Sequence, residues 1–83
     1  MQMINVLFFA QVRELTGCDR LTLDEAFPSV EAVRQHLAAR NDRWALALEK
    51  DKLLAAVNQT LVSLENPLTE GDEVAFFPPV TGG

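Results

Sequence analysis

From Met3 to Phe9 almost every position is apolar, with Asn5 as the break, and so short an apolar run predicts a strand. Ala10 to Thr16 (AQVRELT) is built from good helix formers and stops at Gly17, a residue able to take the left-handed conformation that closes a short helix. Gly17 to Asp19 then make a turn, and Arg20 to Asp24 (RLTLD) alternates polar and apolar as a strand with one buried face does. Ser29 is placed to cap a helix, with Glu31 in its first turn. Val30, Val33 and Leu37 recur at helical spacing, so Glu31, Arg34, Gln35 and Arg40 are predicted to face away, and the helix should end near Asn41. Arg43 to Glu49 (RWALALE) reads either as a further helical turn or as an irregular cover. Leu53 to Val57 and Thr60 to Leu64 form two strands about an Asn58-Gln59 turn. Asn66-Pro67 and Glu70-Gly71-Asp72 frame a loop, and Glu73 to Phe77 is the last strand, ended by Pro78 and Pro79, which cannot donate a ladder hydrogen bond.

The order is strand, short helix, strand, long helix and three strands. That is an α+β pattern, in which one mixed sheet of about five strands packs on one main helix plus a short helix. The first and last strands are apolar and carry no edge protection, which suits the centre of the sheet. If they are neighbours, the chain closes into a ubiquitin-like β-grasp; periodicity leaves other α+β arrangements open.

Such a sheet carries more apolar residues than one helix can cover. Ile4, Val6 and Phe8 can point inward, yet Leu7 and Phe9 have the opposite parity. Val74 and Phe76 share one face while Ala75 and Phe77 share the other, and Leu61 and Val62 are again neighbours of opposite parity. Either the short helix or the Trp44 segment covers the second face, or that face is an exposed apolar patch of the kind that marks a partner surface.

Composition narrows the chemistry. At 83 residues the chain is one domain, and its 7 basic and 12 acidic residues give a net charge of −5, which opposes electrostatic binding of nucleic acid. Cys18 is the one cysteine and His36 the one histidine, which excludes an internal disulfide, a histidine metal cluster and most catalytic triads, and a thiolate zinc site is not expected. No apolar stretch approaches a membrane span and no signal-peptide pattern opens the chain, so a cytoplasmic domain is expected. His36 and Trp44 read as an ordinary helix residue and core cover, and Cys18 as structural or incidental. Glu65, Glu70, Asp72 and Glu73 either solvate a loop or help a basic partner surface select this acidic chain.

The end of the chain stands apart. Residues 1–77 read as a domain and 78–83 (PPVTGG) as a tail, which holds two of the four glycines and no charged side chain. Six residues beyond Phe77 can reach ~20 Å. Two prolines reduce the entropy lost on docking, and Gly82 and Gly83, without Cβ atoms, fit a channel too narrow for other residues. The alternative to a functional carboxyl terminus is a frayed end.

VLFFAQVREL (Val6 to Leu15), DRWALALE (Asp42 to Glu49), LLAAVNQTLVS (Leu53 to Ser63) and GDEVAFFPPVTGG (Gly71 to Gly83) together resemble the small, sulfur-carrying subunits of molybdopterin synthases. A terminal Gly-Gly is shared with ubiquitin-like modifiers and the thiamin-pathway sulfur carrier, whereas FFPPVTGG together with FFAQVRE is far more specific. The resemblance implies a β-grasp and a protein cosubstrate that is not an enzyme on its own. Gly83 would be adenylated with ATP by a ubiquitin-activating-like adenylyltransferase, then converted to a thiocarboxylate with sulfur from a persulfide donor. The large catalytic subunit, in a heterotetramer of two small and two large chains, would receive the tail and use the sulfur to build the dithiolene on cyclic pyranopterin monophosphate. It further implies that Gly83 bears the sulfur, that Gly82 is its narrow-channel neighbour, and that Pro78, Pro79, Val80 and Thr81 form the inserted stalk. Phe9, Leu61 and Phe77 are candidates for the docking face, on parity and on their places in these segments. Arg13, one helical turn after Phe9, either pairs with an acidic group of the partner or is a solvated helix arginine. No bound cofactor or metal, nucleic acid or membrane is implied. A thiamin-pathway carrier, a conjugated modifier and an interaction module with an inert tail are the rival readings.

Overall fold

The computed structural model describes residues 3–79. Five strands form one sheet: β1 (Ile4–Phe8), β2 (Arg20–Leu23), β3 (Leu54–Val57), β4 (Thr60–Val62) and β5 (Glu73–Phe77), in the spatial order β2-β1-β5-β3-β4. β1 and β5 are parallel neighbours with Val6 opposite Val74 and Phe8 opposite Phe76, and every other pairing is antiparallel. The first and last strands therefore lie in the interior of the sheet, as their unprotected apolar sequences require, and the β-grasp alternative is the one adopted.

The helices α1 (Ala10–Thr16), α2 (Val30–Ala38) and α3 (Asp42–Ala47) follow from local signals. Gly17 ends α1 at φ 70, its N–H donating to the Arg13 carbonyl at 2.9 Å. Ser29 caps α2, its hydroxyl oxygen accepting from the Ala32 N–H at 3.2 Å. Asn41 caps α3 in the same way, accepting from the Trp44 N–H at 3.1 Å, so the Arg43 to Glu49 stretch is helical and the plan of one main and one short helix gains a third. A single 3-10 turn, Lys50–Lys52, leads into β3. Strand ends fall one or two residues inside the expected limits, at Phe8, Leu23 and Val62.

The core lies between the sheet and the helices. Ile4, Val6, Phe8, Val74 and Phe76 meet Val30, Val33 and Leu37 of α2, all buried. Trp44 closes one end, edge-on to Phe8 with ring centroids 5.4 Å apart, and Arg40 lies over its indole at 4.7 Å.

Two residues expected to face solvent do not. Glu31 and Arg34 are half-buried and joined through both carboxylate oxygens, with Arg34 Nε and Nη2 at 2.7 and 2.6 Å, while Nη1 donates to the Leu48 carbonyl at 2.9 Å. Arg34 thus ties α2 to the chain leaving α3, and a guanidinium does this because its planar fork serves several acceptors at once. Its hydrogen bonds, opposed by partial burial, are the main reason the Glu31 carboxyl is lowered from 4.5 to about 2. Gln35 and Arg40 are exposed, as expected.

Candidate docking face and tail base

One face of the sheet is left without a helix. Trp44 packs against Phe8, and Val12 of α1 and Ala47 of α3 belong to that same core, so both helices lie on the inner side. Of the two readings left open by parity, the uncovered face is the one realised.

The register divides this outer face into two ends. Asn5 pairs with Thr22 on one side and Glu73 on the other, and this end is polar: the Thr22 hydroxyl donates to Asn5 Oδ1 at 3.0 Å, and the Glu73 N–H donates to Asn58 Oδ1 at 3.1 Å. Asn58 Nδ2 and the Thr69 N–H both donate to the Asp72 carboxylate. These hydrogen bonds, the Thr69 backbone bond first, hold that carboxyl below its ordinary range. Asp72 and Glu73 are therefore half-buried loop and strand residues, while Glu65 and Glu70 are exposed.

Two residues further along, the face turns apolar. Leu7, Ala75, Ala56 and Leu61 are paired in register across four adjacent strands, and Phe77 lies opposite Leu54 on the next row. The Phe9 N–H donates to the Phe76 carbonyl at 3.2 Å, which sets Phe9 beside Phe77 at the end of β1. Phe9 and Leu61 are 46% and 65% exposed, and of the large apolar side chains only Met3 and Leu46 are exposed beside them among the described residues. Because β1 and β5 are parallel, this apolar end is where β5 runs out into Pro78 and Pro79.

Of the residues singled out in the sequence, Phe9, Leu61 and Phe77 are thus brought onto one surface, with Pro78 and Pro79 at its margin. Arg13 lies exposed on α1, one turn from Phe9, and makes no ion pair among the described residues. Val80, Thr81, Gly82 and Gly83 lie outside the described residues. Leu54, half-buried, and Ala56, buried beneath its neighbours, share this face, which the sequence does not reveal because the run from Leu53 to Val57 is apolar throughout and its alternation marks neither face. Cys18 is half-buried with its Sγ 3.1 Å from the Arg20 carbonyl, and His36 is exposed against the Phe27 ring, so neither joins this surface. Among the described residues no three His, Cys, Asp or Glu converge as metal ligands, and no helix is long and apolar enough to cross a membrane.

Comparison with known proteins bears on this arrangement. A family model described as the ThiS family matches residues 6–83. The molybdopterin synthase sulfur carrier subunit of Escherichia coli is 74% identical over 81 residues, covering 98% of this chain and all of the relative. Subunits 1 and 2 of the molybdopterin-converting factor from Helicobacter pylori have been solved as a protein–protein complex, and a chain of it matches with a TM-score of 0.66 at 25% identity, over 99% of this chain and 100% of that one. The small archaeal modifier protein 1 of Methanosarcina acetivorans shares the fold with a TM-score of 0.79, also at 25% identity, over 100% of this chain and 98% of that one. With near-complete coverage, and with a partly exposed apolar face that ends at Pro78 and Pro79, the chain belongs to the ThiS family and, within it, to the molybdopterin synthase sulfur carrier subunits.

Proposed function

We propose that this chain carries sulfur on Gly83 and delivers it by docking the apolar end of its outer sheet face on the large subunit of a molybdopterin synthase. The observation that carries the reading is the coincidence of patch and tail: the sheet is polar at one end and apolar at the other, and the tail departs from the apolar end. A partner that covers Phe9, Leu61 and Phe77 is thereby aligned to receive Pro78 to Gly83 as one extended stalk. The domain, residues 1–77, serves as the handle and residues 78–83 as the arm.

The chemistry follows from the terminus. A carboxylate is a poor electrophile; adenylation with ATP by a ubiquitin-activating-like enzyme gives it AMP as a leaving group. The terminal sulfur of a persulfide donor then displaces AMP to give an acyl disulfide. A second thiol cleaves its S–S bond and is left in a disulfide with the donor's sulfur, and the thiocarboxylate so released is ionised at neutral pH and soft, hence a competent nucleophile. Docking converts a dilute sulfur source into a positioned one beside cyclic pyranopterin monophosphate. A dithiolene needs two sulfurs and each tail holds one, so two loaded chains serve each product, in keeping with a heterotetramer of two small and two large subunits. Arg13, exposed beside Phe9, pairs with an acidic group of the partner. The acid–base groups of the transfer belong to the large subunit.

The test is the mass of the C-terminal peptide after incubation with ATP, a sulfur source and host extract. The expected result is an ATP-dependent gain equal to exchanging one oxygen for sulfur, absent when Gly83 is deleted, and reversed when the large subunit and its pterin substrate are added. An unchanged mass under conditions that load a known carrier would remove the sulfur-carrier reading, and isopeptide conjugates on lysines would replace it with a modifier.

A further inference from the structure

Behind the tail base, on the side away from the outer sheet face, the surface opens into a cleft of about 160 Å3. Val12 and Leu15 of α1, Leu46 and Ala47 of α3, and Pro78 line it together with the polar Gln11, Glu49 and Lys52. A space of that order accepts a group the size of a benzene ring, as an apolar cavity of ~150 Å3 does, which is side-chain size. Leu46 stands 57% exposed at this cleft although its neighbours Trp44, Ala47 and Leu48 are buried. Leu46 is the one large apolar side chain that this six-residue helix exposes. Lys52 is only loosely engaged: its Nζ is 3.9 Å from Glu49, with the side chain 79% exposed. Apolar side chains beside a loosely held lysine make a cleft able to accept an anchor residue at a protein interface.

What occupies the cleft is argued from the tail. Pro78 belongs to both surfaces: it follows Phe77 of the outer face and walls the cleft. Four residues, Val80 to Gly83, separate Pro79 from the chain end and span at most ~14 Å. A protein that encloses Gly82 and Gly83 therefore brings the mouth of its channel to within that distance of Pro79 on every side of the tail, the cleft side included. We infer that the cleft receives a single aliphatic or aromatic side chain from the channel mouth of the large synthase subunit, so that the tail base is gripped from the helices as well as from the sheet. The inference rests on the docking reading above and extends the contact to a surface that the sheet face does not include.

Titration calorimetry of the full-length chain with the large subunit tests it, using Leu46→Glu and Leu46→Ala beside Leu61→Glu on the sheet face. Leu46 is exposed enough that both of its variants should keep the parent's thermal midpoint, which is measured for each. The expected result is a Kd raised about tenfold by Leu46→Glu and about threefold by Leu46→Ala, with Leu61→Glu weakened as well. A Kd within twofold of the parent for both Leu46 variants, with Leu61→Glu still weakened, overturns the cleft and leaves the sheet-face docking intact. The same holds if Leu46→Glu slows only the ATP-dependent sulfur loading, because the cleft then serves the activating enzyme. If Leu61→Glu also binds as the parent does, the docking reading falls and the cleft with it.

Discussion

At the scale of the residue, the Arg34–Glu31 pair shows how little of an interaction is written where it occurs. Charges three apart on a helix are visible in the sequence and normally contribute a few tenths of a kcal/mol. The Leu48 carbonyl that fixes Arg34 lies 14 residues away and leaves no side-chain signature. Because that contact is half-buried, Arg34→Met should cost about 1–2 kcal/mol in urea unfolding, more than a surface pair would. The pH dependence has a definite sign. The folded pKa of Glu31, about 2, is below the ordinary 4.5, so the unfolded chain binds the proton more readily. The pair's stabilisation is complete above pH 4.5 and is lost as the pH falls toward 2, and Glu31→Gln should flatten that part of the stability–pH curve. Asn41 is a second case: it reads as the end of one helix, and its place as the cap of the next becomes visible only when Asp42 and Trp44 are seen to follow it in a helical turn.

At the scale of the element, the β3–β4 hairpin was the most legible part of the chain and also holds its plainest imperfection. Both turn residues are left-handed, Asn58 at φ 50 and Gln59 at φ 70. Asparagine tolerates that region through its short polar side chain, but glutamine does not share the advantage. Gln59→Gly should therefore stabilise the protein by about 0.5–1 kcal/mol, seen as a thermal midpoint several degrees higher. The turn out of β1 carries a similar load, since Ala10 has φ 52 directly after Phe9. Nothing in AQVRELT announces it: alanine reads as a helix former, and the strain arises because the chain must leave the sheet plane while Phe9 stays on its outer face. The third helix is ambiguous in the sequence for a different reason, since Trp44, Ala47 and Leu48 supply one turn of periodicity and no more.

At the scale of the molecule, the two faces of one sheet have opposite duties. Phe76, fully buried, belongs to the core, and Phe76→Ala should cost about 3–5 kcal/mol, much of the ~5–15 available to a domain. Leu61→Ser, at 65% exposure, should shift unfolding by no more than about 0.5 kcal/mol while weakening association with the large subunit. Chemical denaturation beside calorimetry separates the two effects. Parity along β1 and β5 exposed this division in the sequence, because Leu7, Phe9, Ala75 and Phe77 could not all lie on the helix side. Whether some other segment covered the second face could not be read there, since coverage depends on where α1 and α3 settle, and that is fixed by contacts such as Phe8 with Trp44.

The parallel pairing of β1 with β5 also has a mechanical consequence. The tail continues β5, an interior strand hydrogen-bonded to β1 on one side and β3 on the other. Traction on the tail, directed along β5, loads both ladders in shear, so their hydrogen bonds share the force and none can be peeled away first. Had the tail grown from an edge hairpin such as β4, the same pull would unzip the sheet one rung at a time. If the tail docks as proposed above, a domain held this way withstands withdrawal without unravelling from the end that is pulled.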